Sequence, residues 1–227
     1  VQGKDKEEEM LACAVGNTSY IDVVSNSYYV DKTLLIRELI DEQVPVILFT
    51  RPRRFGKTLA MDMIKTFFEK SEEDTSVYFK DKKIWECGEK YQVLQGKFPV
   101  ISITFKDAKF PNWTNTLEAV KNIIRDEYMR HEELFDSERL NVVEHDYLSK
   151  MQTGALNEVE YARSLLNLGR MLEKHHKSKV VILIDEYDTP IQQGHSKGFY
   201  NEVITFMRNF MSGGLKDNSS LAFGVLT

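Results

Sequence analysis

Val180-Val-Ile-Leu-Ile-Asp-Glu186 is a run of five apolar residues that stops abruptly at two adjacent carboxylates. A continuous apolar run of this length is typical of a strand that is buried on both faces. Ligands bind open parallel sheets at the carboxyl ends of their strands, so Asp185 and Glu186 are predicted to lie in a site. The alternative, a solvated cluster of Asp185, Glu186 and Asp188 at a strand end, leaves the abrupt stop unexplained.

A second pattern lies upstream, where the apolar run Val44-Pro-Val-Ile-Leu-Phe-Thr50 precedes Arg51-Pro-Arg-Arg-Phe-Gly-Lys-Thr58. Apolar residues recur at helical spacing after Thr58, which predicts a helix that starts at about Lys57. A phosphate site needs backbone N–H groups, a helix N-terminus and a lysine, and this strand–loop–helix order supplies all three. The residues predicted to bind the phosphates are Arg53, Arg54, Phe55, Gly56, Lys57, Thr58 and Leu59.

The two stretches together resemble the Walker A and Walker B elements of P-loop NTPases, which implies ATP and Mg²⁺ as ligands. Lys57 would reach the β- and γ-phosphates, and Thr58 and Asp185 would hold the metal. Glu186 would polarise the attacking water, so Glu186 and Lys57 are the predicted catalytic residues. Asp188 is the alternative base, or else a metal-shell or turn-capping residue.

The loop departs from the general P-loop pattern, because Arg51 stands where the first glycine is expected. Pro52 favours an extended Arg51 and removes one N–H group from the loop. The positive charges of Arg53 and Arg54 suit a polyphosphate. An Arg-rich surface turn before an ordinary helix is the alternative interpretation.

Three stretches resemble the bacterial AAA-ATPase-like family: Tyr28-Tyr-Val-Asp-Lys-Thr33, Thr50-Arg-Pro-Arg-Arg-Phe-Gly-Lys-Thr58 and Leu183-Ile-Asp-Glu-Tyr-Asp188. The resemblance runs from about Ala14 to Thr227, and a loop without the first glycine is the family's own pattern. It implies an α/β P-loop NTPase fold of the ASCE/AAA-like type and an ATPase activity. Family members often continue into a C-terminal PD-(D/E)xK nuclease-like domain, so such a partner domain is an implied possibility.

The chain is predicted to form a polar N-terminal arm (1–13) and one P-loop domain (14–227). Strands that alternate with helices favour a parallel sheet with helices on both faces. The predicted strands cover 44–50, 98–105, 180–186 and 221–226, and the predicted helices cover 28–41, with Asp31 as N-cap, 57–70, 113–129, 158–176 and 197–211. Thr227 ends the last strand as a candidate γ-phosphate sensor, and we expect the C-terminal helical lid to be absent.

The charge balance argues against a nucleic-acid surface, since 30 basic and 35 acidic residues give a net charge of −5. No apolar run approaches the length of a membrane span. Cys13 and Cys87 lack the spacing of a metal site, and residues 1–10 do not resemble a signal peptide. These features together predict a cytoplasmic protein without a membrane partner.

Three functional interpretations follow. The first is an ATPase that uses Mg²⁺, and the second is a nucleotide-gated interaction module with negligible turnover. The third is the motor or regulatory part of a DNA-processing nuclease system, although the net charge does not support DNA binding. ATP turnover with and without DNA discriminates among them, whereas the sequence names neither a client nor an oligomeric state.

Overall fold

The core of the protein is a parallel β-sheet, described here from a computed structural model that covers residues 16–50, 56–216 and 218–227. The strand order is β1-β4-β3-β2, and each neighbouring pair is parallel. All carboxyl ends therefore meet at one edge of the sheet. The strands are β1 (Val46–Leu48), β2 (Val100–Thr104), β3 (Val180–Asp185) and β4 (Leu221–Leu226).

Two helices precede β1 in the described residues, and the other helices lie in the connections between the strands. In chain order they are α1 (Tyr20–Asn26), α2 (Leu34–Glu42), α3 (Lys57–Phe68), α4 (Lys83–Glu86), α5 (Glu89–Gln92), α6 (Trp113–Arg130), α7 (Val142–Thr153), α8 (Glu158–Ala162), α9 (Ser164–His176), α10 (Thr189–Lys197) and α11 (Tyr200–Leu215). Two short 3-10 turns lie at Thr75–Tyr78 and Glu132–Leu134.

The central strand β3 divides the core into two layers, because its six residues are all buried and alternate between the faces. Ile182 and Ile184 pack in one cluster with residues of α6, α9 and α11. Val181 and Leu183 pack in the other cluster with residues of α2 and α3. The predicted α/β architecture, a parallel sheet with helices on both faces, is confirmed.

The helix before the first strand begins later than predicted. It is α2, Leu34–Glu42, and Asp31 is not its N-cap, since Thr33 occupies that position without a side-chain capping bond. The Asp31 carboxylate instead accepts hydrogen bonds from the backbone N–H and hydroxyl of Thr33 and from the backbone N–H of Lys83. The prediction was wrong because Asp31 fixes a loop between two distant segments.

Two long predicted helices are also divided differently. The helix predicted at 158–176 is broken at Arg163 into α8 and α9. The helix predicted at 197–211 is α11, Tyr200–Leu215, and it is preceded by α10, which was not predicted. Gly198 separates α10 from α11 in a left-handed conformation (φ +84°), which glycine adopts without steric cost.

Among the described residues, no helix is both long enough and apolar enough to cross a membrane.

Candidate functional site

Asp185 lies at the centre of the site, at the carboxyl end of β3. Its side chain is buried, with 6% of the residue exposed, and both carboxylate oxygens accept hydrogen bonds. Oδ2 accepts from the Thr58 hydroxyl at 2.8 Å, and Oδ1 accepts from the Thr227 hydroxyl at 2.8 Å. The structure thus joins the first turn of α3 and the ends of β3 and β4 at one carboxylate.

The start of α3 is set by Gly56. This residue takes the N-cap position with φ +72° and ψ +29°, a left-handed conformation in which a side chain is strained. Its carbonyl accepts the first helical hydrogen bond, from the N–H of Ala60. The first-turn N–H groups of a helix have no intrahelical acceptor, so this end of α3 carries partial positive charge.

Lys57 occupies the first turn of α3, where a cation is unfavourable unless an anion is bound nearby. Within the described part of the chain, no carboxylate forms an ion pair with its ammonium group. Lys57 lines a cleft of about 390 Å³ that lies at the carboxyl ends of β1 and β4. The other lining residues are Leu48, Phe49, Thr50, Tyr187, Asp188 and Thr227.

Glu186 follows β3 with a backbone φ of +51°, which is unusual for a residue other than glycine. Two backbone hydrogen bonds hold the turn: the Thr189 N–H donates to the Glu186 carbonyl (3.1 Å), and the Tyr187 N–H donates to the Thr227 carbonyl (3.4 Å). The Glu186 carboxylate accepts a hydrogen bond from the Thr189 hydroxyl at 3.0 Å. Strained backbone of this kind is characteristic of functional sites, where surrounding contacts hold it in place.

Asp188 lies at the cleft wall and just before α10. Its carboxylate accepts a hydrogen bond from the Gln192 side chain (2.5 Å) rather than capping the helix. Asp188 lines the same cleft as Lys57. Within the described ranges, Asp185 makes no ion pair with Lys57 or with any other cationic side chain.

Sequence reasoning missed two residues that lie at the site. Thr189 engages Glu186, and Lys32 places its Nζ 3.6 Å from the position that a Cβ on Gly56 would occupy. Lys32 belongs to the Tyr28–Thr33 stretch, which the family resemblance already singled out. The stretch itself was therefore the available signal, whereas nothing in the sequence pointed to Thr189.

The predicted site residues fall into three groups. Arg51, Arg53, Arg54 and Phe55 lie outside the described residues. Gly56, Lys57, Thr58, Asp185 and Glu186 lie at one edge of the sheet, around the start of α3 and the end of β3. Leu59 packs against the apolar cluster that α3 shares with the sheet.

Thr58 and Asp185 fit a magnesium ion by the chemistry of their donors. Mg²⁺ prefers oxygen ligands and keeps several waters, so it needs few protein groups. Buried charges are generally paired or bound to a metal, and the Asp185 carboxylate has hydroxyl partners but no cationic partner among the described residues. No group of three or more His, Cys, Asp or Glu side chains suited to a metal occurs in those residues.

Comparison with known proteins gives one family. The model of the family described as "Predicted AAA-ATPase" matches residues 15–227. No curated protein and no solved structure matches the chain.

Proposed function

Because the chain belongs to the predicted AAA-ATPase family, we propose that it binds ATP at the start of α3 and hydrolyses it with Mg²⁺. The observation that carries this proposal is the 2.8 Å hydrogen bond between Thr58 and Asp185, residues 127 positions apart. It brings together the two sequence elements that P-loop enzymes use for phosphates and metal.

The phosphates would lie against the N-terminus of α3. The first-turn N–H groups without intrahelical acceptors, the left-handed Gly56 and the Lys57 ammonium group, which pairs with no carboxylate of the described residues, together favour an anion there. The predicted contributions of Arg53, Arg54 and Phe55 belong to the same proposal, since they precede Gly56 directly. Guanidinium groups form strong charge-assisted hydrogen bonds with phosphate oxygens.

Magnesium would be held by the Thr58 hydroxyl and, directly or through water, by Asp185. When bound, the ion neutralises charge that develops on the phosphates. The hydrogen bond from Thr227 fixes the second oxygen of Asp185, so the carboxylate is already oriented before ligand binds. The Thr227 hydroxyl would also respond to the loss of the γ-phosphate next to Asp185, which is the sensor role predicted for Thr227.

Glu186 would act on the attacking water as general base. Glu186 directly follows Asp185, the proposed metal ligand, and its backbone turn lies at the same edge of the sheet as the cleft that Lys57 lines. The hydrogen bond that the Thr189 hydroxyl donates orients this carboxylate towards the start of α10.

The same contact with Thr189 favours the second candidate function, a nucleotide-gated interaction module. A carboxylate that stays bound to α10 would not activate water, and nucleotide binding would then set a conformation without turnover. Turnover therefore separates the two functions.

The test is a steady-state ATPase assay with Mg²⁺ on the wild type, Glu186→Gln and the control Glu202→Gln. Glu202 is exposed on α11, so its variant should match the wild type. We expect Glu186→Gln to lose at least about 100-fold in turnover, the usual contribution of a general base, and to keep its ATP affinity. Turnover that survives in Glu186→Gln would transfer the base role to Asp188. Absent turnover in the wild type with intact ATP binding would establish the gated module, and stimulation by added DNA would support a role in DNA processing.

A further inference from the structure

A groove of about 880 Å³ lies at the amino edge of the sheet, opposite the edge that carries the candidate functional site. This amino-edge groove is bordered by the ends of α2, α3 and α11 and by the start of β4. Val44 in its wall is 39% exposed. Six other apolar residues of the wall are partly buried and still reach solvent: Ile40, Leu94, Phe98, Leu215, Ala222 and Phe223. The wall therefore offers apolar surface that a bound molecule can contact.

The groove exists because β4 begins before it pairs with β1. The first pair of the two strands joins Val46 and Gly224, whereas β4 starts at Leu221. The chain ahead of β1 belongs to the end of α2, which stops in a left-handed turn at Gln43 (φ +50°). The start of β4 therefore has β3 on one side and the amino-edge groove on the other.

The floor of the groove is fixed by three phenylalanine rings. Phe68, the last residue of α3, is buried and packs edge-on against Phe98 and Phe223, with ring centroids 5.8 Å and 5.1 Å apart. Aromatic pairs of this geometry are favourable beyond their buried area. The partly exposed rings of Phe98 and Phe223 are thus held in place before a partner binds, which reduces the entropic cost of binding.

The rim of the groove is rich in lysine. Five exposed lysines belong to its lining or lie within two residues of it in the chain: Lys70, Lys97, Lys177, Lys179 and Lys216. Two hydrogen bonds bring their segments together, because the Lys70 N–H donates to the Phe98 carbonyl (2.8 Å) and the Ser178 hydroxyl donates to the Lys97 carbonyl (3.3 Å). None of the five ammonium groups forms an ion pair with a carboxylate of the described residues.

The neighbouring carboxylates are engaged elsewhere. Glu69 forms ion pairs with Lys65 and Arg130. Asp217 lies outside the described residues. The three acidic residues of α2 line a separate hollow beside Arg37: Glu38, Asp41 and Glu42. In the described part of the chain, the rim is therefore positively charged, although the whole chain has a net charge of −5.

We propose that the amino-edge groove binds an acidic segment of a partner protein, with apolar side chains of that segment on Phe98 and Phe223 and its carboxylates on the lysines of the rim. Exposed apolar surface with a polar rim marks interaction sites, and the unpaired positive charge selects a negative partner. A nucleic-acid backbone would supply phosphates but no aliphatic groups for the floor. A membrane surface is bound by protruding apolar side chains rather than by a groove. The inference does not depend on the proposed function, because the groove and the proposed phosphate site lie at opposite edges of the sheet.

The test is a fluorescence anisotropy titration with a labelled amphipathic peptide of leucine and glutamate. Two matched control peptides carry lysine in place of every glutamate, or serine in place of every leucine. The proteins are the wild type, Lys179→Glu, Val44→Asp and the control Lys109→Glu. Lys109 is exposed in the segment after β2, at the carboxyl edge of the sheet, and forms no ion pair within the described ranges. Melting curves without peptide verify that each variant folds, and Lys179→Glu decides if Val44→Asp does not fold.

We expect the wild type to bind the leucine–glutamate peptide and neither control peptide, and added salt to weaken the binding. Lys179→Glu should weaken it about fivefold, since one attraction becomes a repulsion, and Val44→Asp at least about fivefold. Lys109→Glu should bind like the wild type.

Three results would overturn the proposal. The first is a wild type that binds no peptide, or binds the lysine and glutamate peptides equally. The second is an unchanged dissociation constant in Lys179→Glu or in folded Val44→Asp. The third is sedimentation of the wild type with phosphatidylglycerol vesicles without binding to the peptide, which would identify a membrane surface instead.

Discussion

The hydroxyl of Thr227 should stabilise the fold more than the hydroxyl of Thr58, although both donate to Asp185 at 2.8 Å. Thr227 and Asp185 are each only 6% exposed, so Thr227→Val leaves one carboxylate oxygen without its donor in a place that water does not easily reach. Thr58 is exposed, and water can replace its hydroxyl. The two variants therefore test whether burial sets the energy of the contact.

The magnitude follows from the charged acceptor. A hydrogen bond to an ionised group contributes about 1.5–3 kcal/mol. The methyl group that replaces the hydroxyl returns roughly 0.8 kcal/mol through burial. The net loss for Thr227→Val is then about 1–2 kcal/mol, which lowers the melting temperature of a domain of this size by about 2–8 °C. For Thr58→Val we expect a change within about 0.5 kcal/mol, as for other surface substitutions.

The assay is urea unfolding monitored by circular dichroism, without nucleotide, on the wild type and both variants. With Mg²⁺-ATP present the order should reverse, because Thr58 is the proposed metal ligand and its loss weakens nucleotide binding more. Equal unfolding free energies of Thr58→Val and Thr227→Val without ligand would refute the reasoning. If the order of the two variants does not reverse with Mg²⁺-ATP present, Thr58 is not a ligand of the metal.

Two further predictions concern the core and the effect of pH. Gly214→Ala would bring a Cβ to 2.3 Å from the Leu165 side chain, so we expect a loss of about 1–3 kcal/mol in the free energy of unfolding. Gly213→Ala, whose nearest contact is at 3.6 Å, should change it by less than about 1 kcal/mol, and equal losses in urea unfolding would contradict the packing argument. Burial alone would lower the pKa of His131, but the hydrogen bond with Glu127 helps to raise it above the usual value. The protonated imidazole therefore stabilises the folded state fully below about pH 6.5, and this stabilisation is lost as the pH rises through the raised pKa. Unfolding free energies from pH 6 to 9 should fall more steeply for the wild type than for His131→Gln, and parallel curves would refute this.

The sequence predicted the central part of the fold because its signals there are local. The apolar run before Asp185 is long enough to indicate a buried strand, and Gly56 with the apolar stripe of α3 indicates where the helix starts. The parallel sheet then follows from the alternation of strands and helices. Thr58 and Asp185 could be assigned to one site because the carboxyl ends of parallel strands share an edge.

The missed helices carry weak local signals. In α10, Pro190 and Gly194 read as helix breakers, yet Gly194 is required because a Cβ there would lie 2.5 Å from the Val203 side chain of α11. In α7, Val142 and Val143 are 84% and 75% exposed, so the helix lacks a clear apolar face. Its capping box, in which Asn141 and Glu144 bond reciprocally, was the readable signal.

The rest of the candidate site depends on contacts that form only in the folded chain. Lys32 reaches Gly56 because Asp31 anchors its segment to Lys83, 52 positions away. Thr189 reaches Glu186 because the turn after β3 adopts a left-handed backbone that no sequence rule predicts for a glutamate. Neither contact could be inferred from spacing.

The most direct test of the central claim is a calorimetric titration of Mg²⁺-ATP into the wild type, Lys57→Ala and Lys65→Ala. Lys65 lies on the same helix two turns further along and pairs with Glu69, so it serves as a matched control. We expect one ATP per chain for the wild type and Lys65→Ala, and at least about tenfold weaker binding for Lys57→Ala, since a charge-assisted contact is lost. The melting temperature of Lys57→Ala without ligand should match that of the wild type. The same dissociation constant in Lys57→Ala as in the wild type would contradict the assignment of the phosphate site to the start of α3.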